Sequence, residues 1–225
     1  MIVWLPSAFA EAERLPVHDL LDEDVLVLGH DSHATTMTEH VVDLADRLPG
    51  TGTHTVVGAS FGGWVAAELA SYYPERIERL VLVDAMGLYV PGHPAAELFA
   101  LTLPQLAKLL LYDRAAVDTT AMPIFDRSAD PMDCHMRMIA GEEAMARLGW
   151  SPYLHDRALP TRLHRYTGPV TVIWGADDRV LDEAHAKAWV DLFDGRANLH
   201  VIDDAGHLPH IERPEQLAAC LRGLP

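Results

Sequence analysis

The sequence predicts an α/β fold: a mostly parallel sheet of about six strands with helices on both faces and one helical insertion. Three observations predict it. Short apolar runs alternate with segments of helical spacing along most of the 225 residues. One run, "TVVGASFGGW", passes through Gly-x-Ser-x-Gly straight into a helical pattern. And residues 87–165 carry no convincing strand but many prolines, so they read as a cap inserted between two strands.

The elements follow in order. Strands are expected at Ile2–Leu5, Val25–Leu28, Thr55–Gly58, Leu80–Asp84, Val170–Trp174 and Asn198–Ile202. Helices are expected at Glu39–Leu48, Gly62–Tyr73, Glu183–Phe193 and Glu215–Leu221. Such alternation implies a parallel sheet covered on both faces. The core is then 1–86 with 166–225, and the cap is 87–165. In the cap, "AELFALTLPQLAKLLLYD" and "CHMRMIAGEEAMARLGW" supply helices. Trp150, Phe99, Phe125, Met122 and Met136 are read mostly as cap core, with a minority lining a pocket.

Composition narrows the function classes. A net charge of −16 argues against nucleic acid or an anionic membrane surface as partner. Two cysteines, Cys134 and Cys220, make neither a disulfide framework nor a metal-ligand spacing, which fits a reducing cytoplasm. The start "MIVWLPSAF" lacks the charged lead and long apolar core of a signal peptide. The histidines number 13, but His30, His33 and His40 repeat no known ligand spacing, so no metal and no cofactor are expected.

The chemistry centres on Ser60. A sharp strand-to-helix turn would lift its hydroxyl above the sheet, with Gly58 and Gly62 allowing close backbone approach. A nucleophilic serine needs a base and an orienting acid. "GADDRVL" places Asp177 and Asp178 after one strand, and "DDAGHLPHIERPE" places His207 after the last. Strand C-termini share one edge of a parallel sheet, so these loops converge there with Ser60. Asp84, at the end of another strand, is a rival for the acid. His210 and Glu212 read as supports of the histidine loop.

These pieces resemble the α/β-hydrolase superfamily over nearly the whole chain. "GASFGG" matches the nucleophile elbow, "PERIERLVLVDAMGL" the following helix and strand, "VIWGADDRV" the acid loop and "DAGHLPHIERPEQL" the histidine loop. The cap resembles that of esterase-like and haloperoxidase-like members. The resemblance implies an α/β-hydrolase fold and a triad of Ser60, His207 and Asp178, the last preferred over Asp177 because it matches Trp-Gly-x-x-Asp. Asp177 then reads as a cap of the helix near Glu183. It also implies an oxyanion hole from the backbone N–H of Phe61 and of Ala8, although "WLPSAF" stands where the family has His-Gly-x; Ser7 could add a hydroxyl.

Compared with the family, the first two strands are missing. That leaves Val25–Leu28 at an edge, to be covered by a helix, a loop or a second copy in a homodimer. The implied activity is a serine hydrolase acting on a small, largely apolar ester or lactone. The alternatives are a C–C bond hydrolase of a diketone-like substrate and a non-catalytic ligand-binding protein on the same scaffold. The cap arginines Arg114, Arg127, Arg137, Arg147 and Arg157 read as solvated surface, so the substrate is expected to be uncharged.

Overall fold

The computed structural model describes residues 1–126 and 128–223; Arg127, read above as surface, lies outside them. The six strands are β1 (Ile2–Leu5), β2 (Val25–Val27), β3 (His54–Ala59), β4 (Ile77–Val83), β5 (Val170–Gly175) and β6 (Ala197–Ile202). They form one sheet in the order β2-β1-β3-β4-β5-β6, every pair parallel. β1, β3 and β5 are buried at every residue, as strands covered on both faces must be. β4 starts three residues before the expected Leu80. Glu78 and Arg79 interrupt its apolar run at its more exposed end; Arg79 pairs with Thr55 of β3, and the register shifts past Glu78.

The helices are α1 (Pro16–Asp19), α2 (Met37–Arg47), α3 (Phe61–Tyr72), α4 (Leu103–Leu110), α5 (Pro131–Gly149), α6 (Leu159–Arg162), α7 (Glu183–Asp191), α8 (Pro209–Glu212) and α9 (Pro214–Arg222). Thr36 and Glu39 close a capping box that starts α2. α3 is buried from Phe61 to Ser71, because it runs through the middle of the molecule behind the sheet. α7 is capped by Asp182, whose side chain accepts the Ala184 N–H, and not by Asp177. None of the described helices is long and apolar enough to cross a membrane.

Residues 87–165 contain α4, α5, α6 and several short 3-10 turns. A single bridge, Gly87 to His155, joins the two ends of this stretch. Arg162 anchors it to α3: its guanidinium binds Glu68 through both carboxylate oxygens, and Asp156 as well. Arg147 departs from the solvated reading: it bonds the carbonyls of His30 and Ala34 and pairs with Glu143, tying α5 to the loop after β2. Met122 and Phe125 are core, as expected, whereas Trp150 and Met136 are exposed.

β2 stands at an edge of the sheet, as expected. Val25, Leu26 and Val27 are half-buried, whereas Leu199, His200 and Val201 of β6 are exposed on the opposite edge.

Candidate active site

The candidate residues stand at the C-terminal ends of four strands. Ser60 directly follows β3, Asp84 directly follows β4, Asp178 comes after β5 and His207 after β6. Parallel strands put these four ends on one edge of the sheet.

Ser60 has φ 52° and ψ −115°, a conformation costly for a residue with a side chain. Neighbouring bonds hold it there: its N–H donates to the Val83 carbonyl and its own carbonyl accepts from Met86. The turn closes only because its flanks are glycine. A Cβ on Gly62 would collide with the Leu5 and Pro6 carbonyls, and one on Gly58 with the Gly62 backbone.

His207 Nε2 lies 2.7 Å from Ser60 Oγ, and its Nδ1 lies 2.8 Å from Asp178 Oδ2. Both Ser60 and His207 have no exposed surface, so the pair is shut away from solvent. Asp178 uses its other oxygen, Oδ1, to accept the N–H groups of Val180 and Leu181. The imidazole is thus fixed with Nδ1–H donating to carboxylate and Nε2 free to take the serine proton. The His207 N–H donates to the Leu110 carbonyl at the end of α4. Glu212 accepts from Gly206 and from Asp113, tying the histidine loop to the cap side. Burial pushes the Glu212 carboxyl above its ordinary value.

Asp84, the rival acid, is buried and makes no hydrogen bond to His207. Its Oδ1 accepts the Gly175 N–H at 2.9 Å. Burial, then the charge of Asp178, push its carboxyl well above the usual carboxylate range. Asp84, Asp178 and His207 are the one cluster of three metal-type ligands found among the described residues. An ion there would compete for the Asp178 oxygen and ring nitrogen that already bond each other.

The N–H groups of Phe61 and Ala8 have no protein acceptor among the described residues. Ala8 reaches its place with φ 68°. The loop that carries it is held from beneath: Glu11 accepts both the N–H and the hydroxyl of Ser7, and pairs with His210 at 2.9 Å. Burial raises the Glu11 carboxyl, but His210 and the bonds from His210 and Ser7 outweigh it and hold it below its usual value. The Ser7 hydroxyl is therefore committed to Glu11 and is no free donor. Glu11 was not read from the sequence; only its four-residue spacing from Ser7 hinted at it.

His30 and His40 bond each other at 3.0 Å beside Phe61, with Ser32 on the far nitrogen of His40. Burial, then the proximity of His30, push His40 down to about 3, so this chain of rings is neutral packing under the elbow. A cavity of about 880 Å³ lies between α7 and β6 and reaches the candidate residues only at Asp178. A second, about 260 Å³, is bounded by Ala8, Glu11, His30 and Gly141.

Comparison with known proteins places the chain in one family. The sequence model described as "Alpha/beta hydrolase family" matches residues 2–220. The pimeloyl-[acyl-carrier protein] methyl ester esterase of Nitrosomonas europaea is 28% identical over 80% of this chain and 74% of its own length. A 2-hydroxymuconate semialdehyde hydrolase of Pseudomonas putida is 30% identical over 80% of this chain and 64% of its own. Among solved structures, the 2-hydroxy-6-oxo-6-phenylhexa-2,4-dienoate hydrolase of Rhodococcus sp. strain RHA1 superposes with a TM-score of 0.72 at 21% identity, covering 98% of this chain and 88% of that one.

Proposed function

We propose that this chain, which belongs to the alpha/beta hydrolase family, is a serine hydrolase that cleaves a small, largely apolar ester or lactone through an acyl-enzyme. The observation that carries the reading is the relay itself: Ser60 Oγ, His207 and Asp178 in bonds of 2.7 and 2.8 Å. Ser60 Oγ attacks the carbonyl carbon as His207 Nε2 takes its proton. The oxyanion is met by the N–H groups of Phe61 and Ala8. Collapse breaks the bond to the alkoxide, which leaves with the proton from His207. Water then gives a proton to His207 and attacks the acyl carbon, and the carboxylic acid departs as Ser60 recovers its proton. Asp178 holds the imidazole tautomer and stabilises the imidazolium throughout. The reaction draws on no cofactor, and the two cysteines, both free, fit a cytoplasmic setting.

The relatives keep a second reading in play. One is named as a methyl ester esterase and another as a semialdehyde hydrolase. Cleavage of a C–C bond beside a ketone would use the same relay, with carbon rather than oxygen as the leaving atom. A ligand-binding role without turnover is the third reading. A panel of p-nitrophenyl esters, lactones and a diketone acid, run beside Ser60→Ala, separates them. The expected result is turnover of neutral esters or lactones that Ser60→Ala removes. Turnover of the diketone acid alone supports the second reading. Tight ligand binding with no turnover and no fluorophosphonate labelling of Ser60 supports the third.

A further inference from the structure

We infer that Glu11 is a positioning residue for hydrolysis: its carboxylate holds the Ser7–Ala8 peptide so that the Ala8 N–H stays presented to the oxyanion. The inference rests on the hydrolase reading above and names the residue that sets its second oxyanion donor.

The loop after β1 needs such a holder. Ala8 has φ 68° and Ala10 φ 56°, both in the left-handed region that strains a residue with a side chain. Such a conformation persists only where neighbouring contacts over-determine it. The peptide between Pro6 and Ser7 is pinned at both ends. Its carbonyl accepts from His30 Nε2 at 2.8 Å, and its N–H donates to Glu11 Oε1 at 2.9 Å. The Ser7 hydroxyl donates to Glu11 Oε2 at 2.8 Å and accepts the Phe9 N–H at 3.3 Å. The peptides on either side of Ser7–Ala8 are therefore tied to Glu11, one directly and one through the Ser7 hydroxyl. The Ser7–Ala8 peptide between them is held in one orientation, and its N–H has no protein acceptor among the described residues.

The task needs an ionised carboxylate. His210 Nε2 donates to Glu11 Oε2 at 2.9 Å, so the Ser7 N–H, the Ser7 hydroxyl and His210 converge on one group. A carboxylate accepts at both oxygens, whereas an amide turns an NH2 toward one of those donors. Burial raises the Glu11 carboxyl, but His210 and the Ser7 bonds outweigh it and keep the group charged. The His210 and Glu11 side chains are 0% and 4% exposed, so solvent offers these donors little alternative. His210 lies on α8, just beyond His207, and Phe9 meets the His207 ring edge-on at 6.1 Å. Glu11 thus ties the donor loop to the loop of the base, and the two keep one spacing.

The test is Glu11→Gln, with folding checked by circular dichroism and thermal melting. On p-nitrophenyl butyrate kcat should fall about a hundredfold, the loss expected for one oxyanion donor. KM should stay within about threefold, because that donor serves the oxyanion more than the ground-state carbonyl. A hexyl trifluoromethyl ketone, which forms an oxyanion adduct with a reactive serine, should lose affinity in parallel with kcat. The matching methyl ketone should not. A merely structural role would weaken both ketones alike or neither. Ser7→Ala keeps the backbone bond to Oε1 but loses the bridge to Phe9, so it should lose about tenfold in kcat. It carries the test if Glu11→Gln does not fold. Unchanged kcat in the folded variants, or equal losses for the two ketones, overturns the inference. If the wild type hydrolyses no ester, the proposed function is what fails. The hold on the loop is then read from residual dipolar couplings, which report the direction of each N–H. A reoriented Ala8 N–H in the variant supports it, and an unchanged one overturns it.

Discussion

Asp178 and Asp84 close the ends of neighbouring strands, yet only Asp178 reaches His207, at 2.8 Å; Asp84 is bonded to the Gly175 N–H instead. Asp178→Asn is accordingly expected to cut kcat by several orders of magnitude, because the amide neither fixes the Nδ1–H tautomer nor stabilises the imidazolium. Asp84→Asn should leave kcat within about threefold, since an amide resembles the protonated acid that burial favours there. Steady-state kinetics of both variants on one ester checks this. A deeper loss for Asp84→Asn would reverse the assignment.

The same Asp84 predicts a pH dependence of stability. Its carboxyl is raised in the folded protein by burial and by Asp178. The folded state then holds a proton that the unfolded chain releases near ~3.9. Its stabilising contribution is full below that value and is lost as pH rises through the raised folded value. Asp84→Asn removes the dependence. Thermal melts should show the variant gaining on the wild type as pH goes from acid to neutral; a constant difference would contradict the sign.

Ser60→Ala should leave the melting temperature close to that of the wild type, or raise it by relieving little else than the buried hydroxyl. Hydrolysis should fall by several orders of magnitude, as for other triad nucleophiles. Purified variant retaining near-wild-type turnover would remove Ser60 from the mechanism.

Glu68 and Arg162 form a buried bidentate pair across the join of α3 and the inserted stretch, with the Glu68 side chain 1% exposed and Trp64 as a further donor. Arg162→Ala leaves that carboxylate without its cation and is expected to cost about 3 kcal/mol. Glu68→Leu combined with Arg162→Met should recover most of the loss. Urea denaturation of the wild type and both variants measures it, and an Arg162→Ala protein as stable as the wild type would show that the pair contributes nothing.

Gly62→Ala tests the elbow's packing. The added Cβ strikes the Leu5 and Pro6 carbonyls, which belong to β1 and the loop carrying Ala8. Backbone cannot give as a flexible side chain can, so the variant should fold poorly or lose more than about 2 kcal/mol. A soluble variant with an unchanged melting curve would contradict the close approach.

The sheet and its order of chemistry were legible in the sequence because both are encoded locally. Apolar runs such as Val56–Val57 and Val170–Trp174 mark strands buried on both faces. The turn around Ser60 needs glycines at fixed offsets, and the loops bearing Asp178 and His207 follow their strands directly. Everything that depends on which surfaces meet was not legible. Spacing leaves Asp177 and Asp178 one residue apart; the resemblance to Trp-Gly-x-x-Asp chose Asp178, and the folded turn after β5 brings it to His207. The Glu11–His210 pair joins residues 199 apart in sequence. Arg147 looked like surface until α5 laid it on the His30 and Ala34 carbonyls. Spacing by itself determined which residues share a strand end or a helix face, since strand and helix periods are properties of the backbone. Partnership between distant side chains was decided only by the packed structure, because burial energies depend on contacts that no local stretch contains.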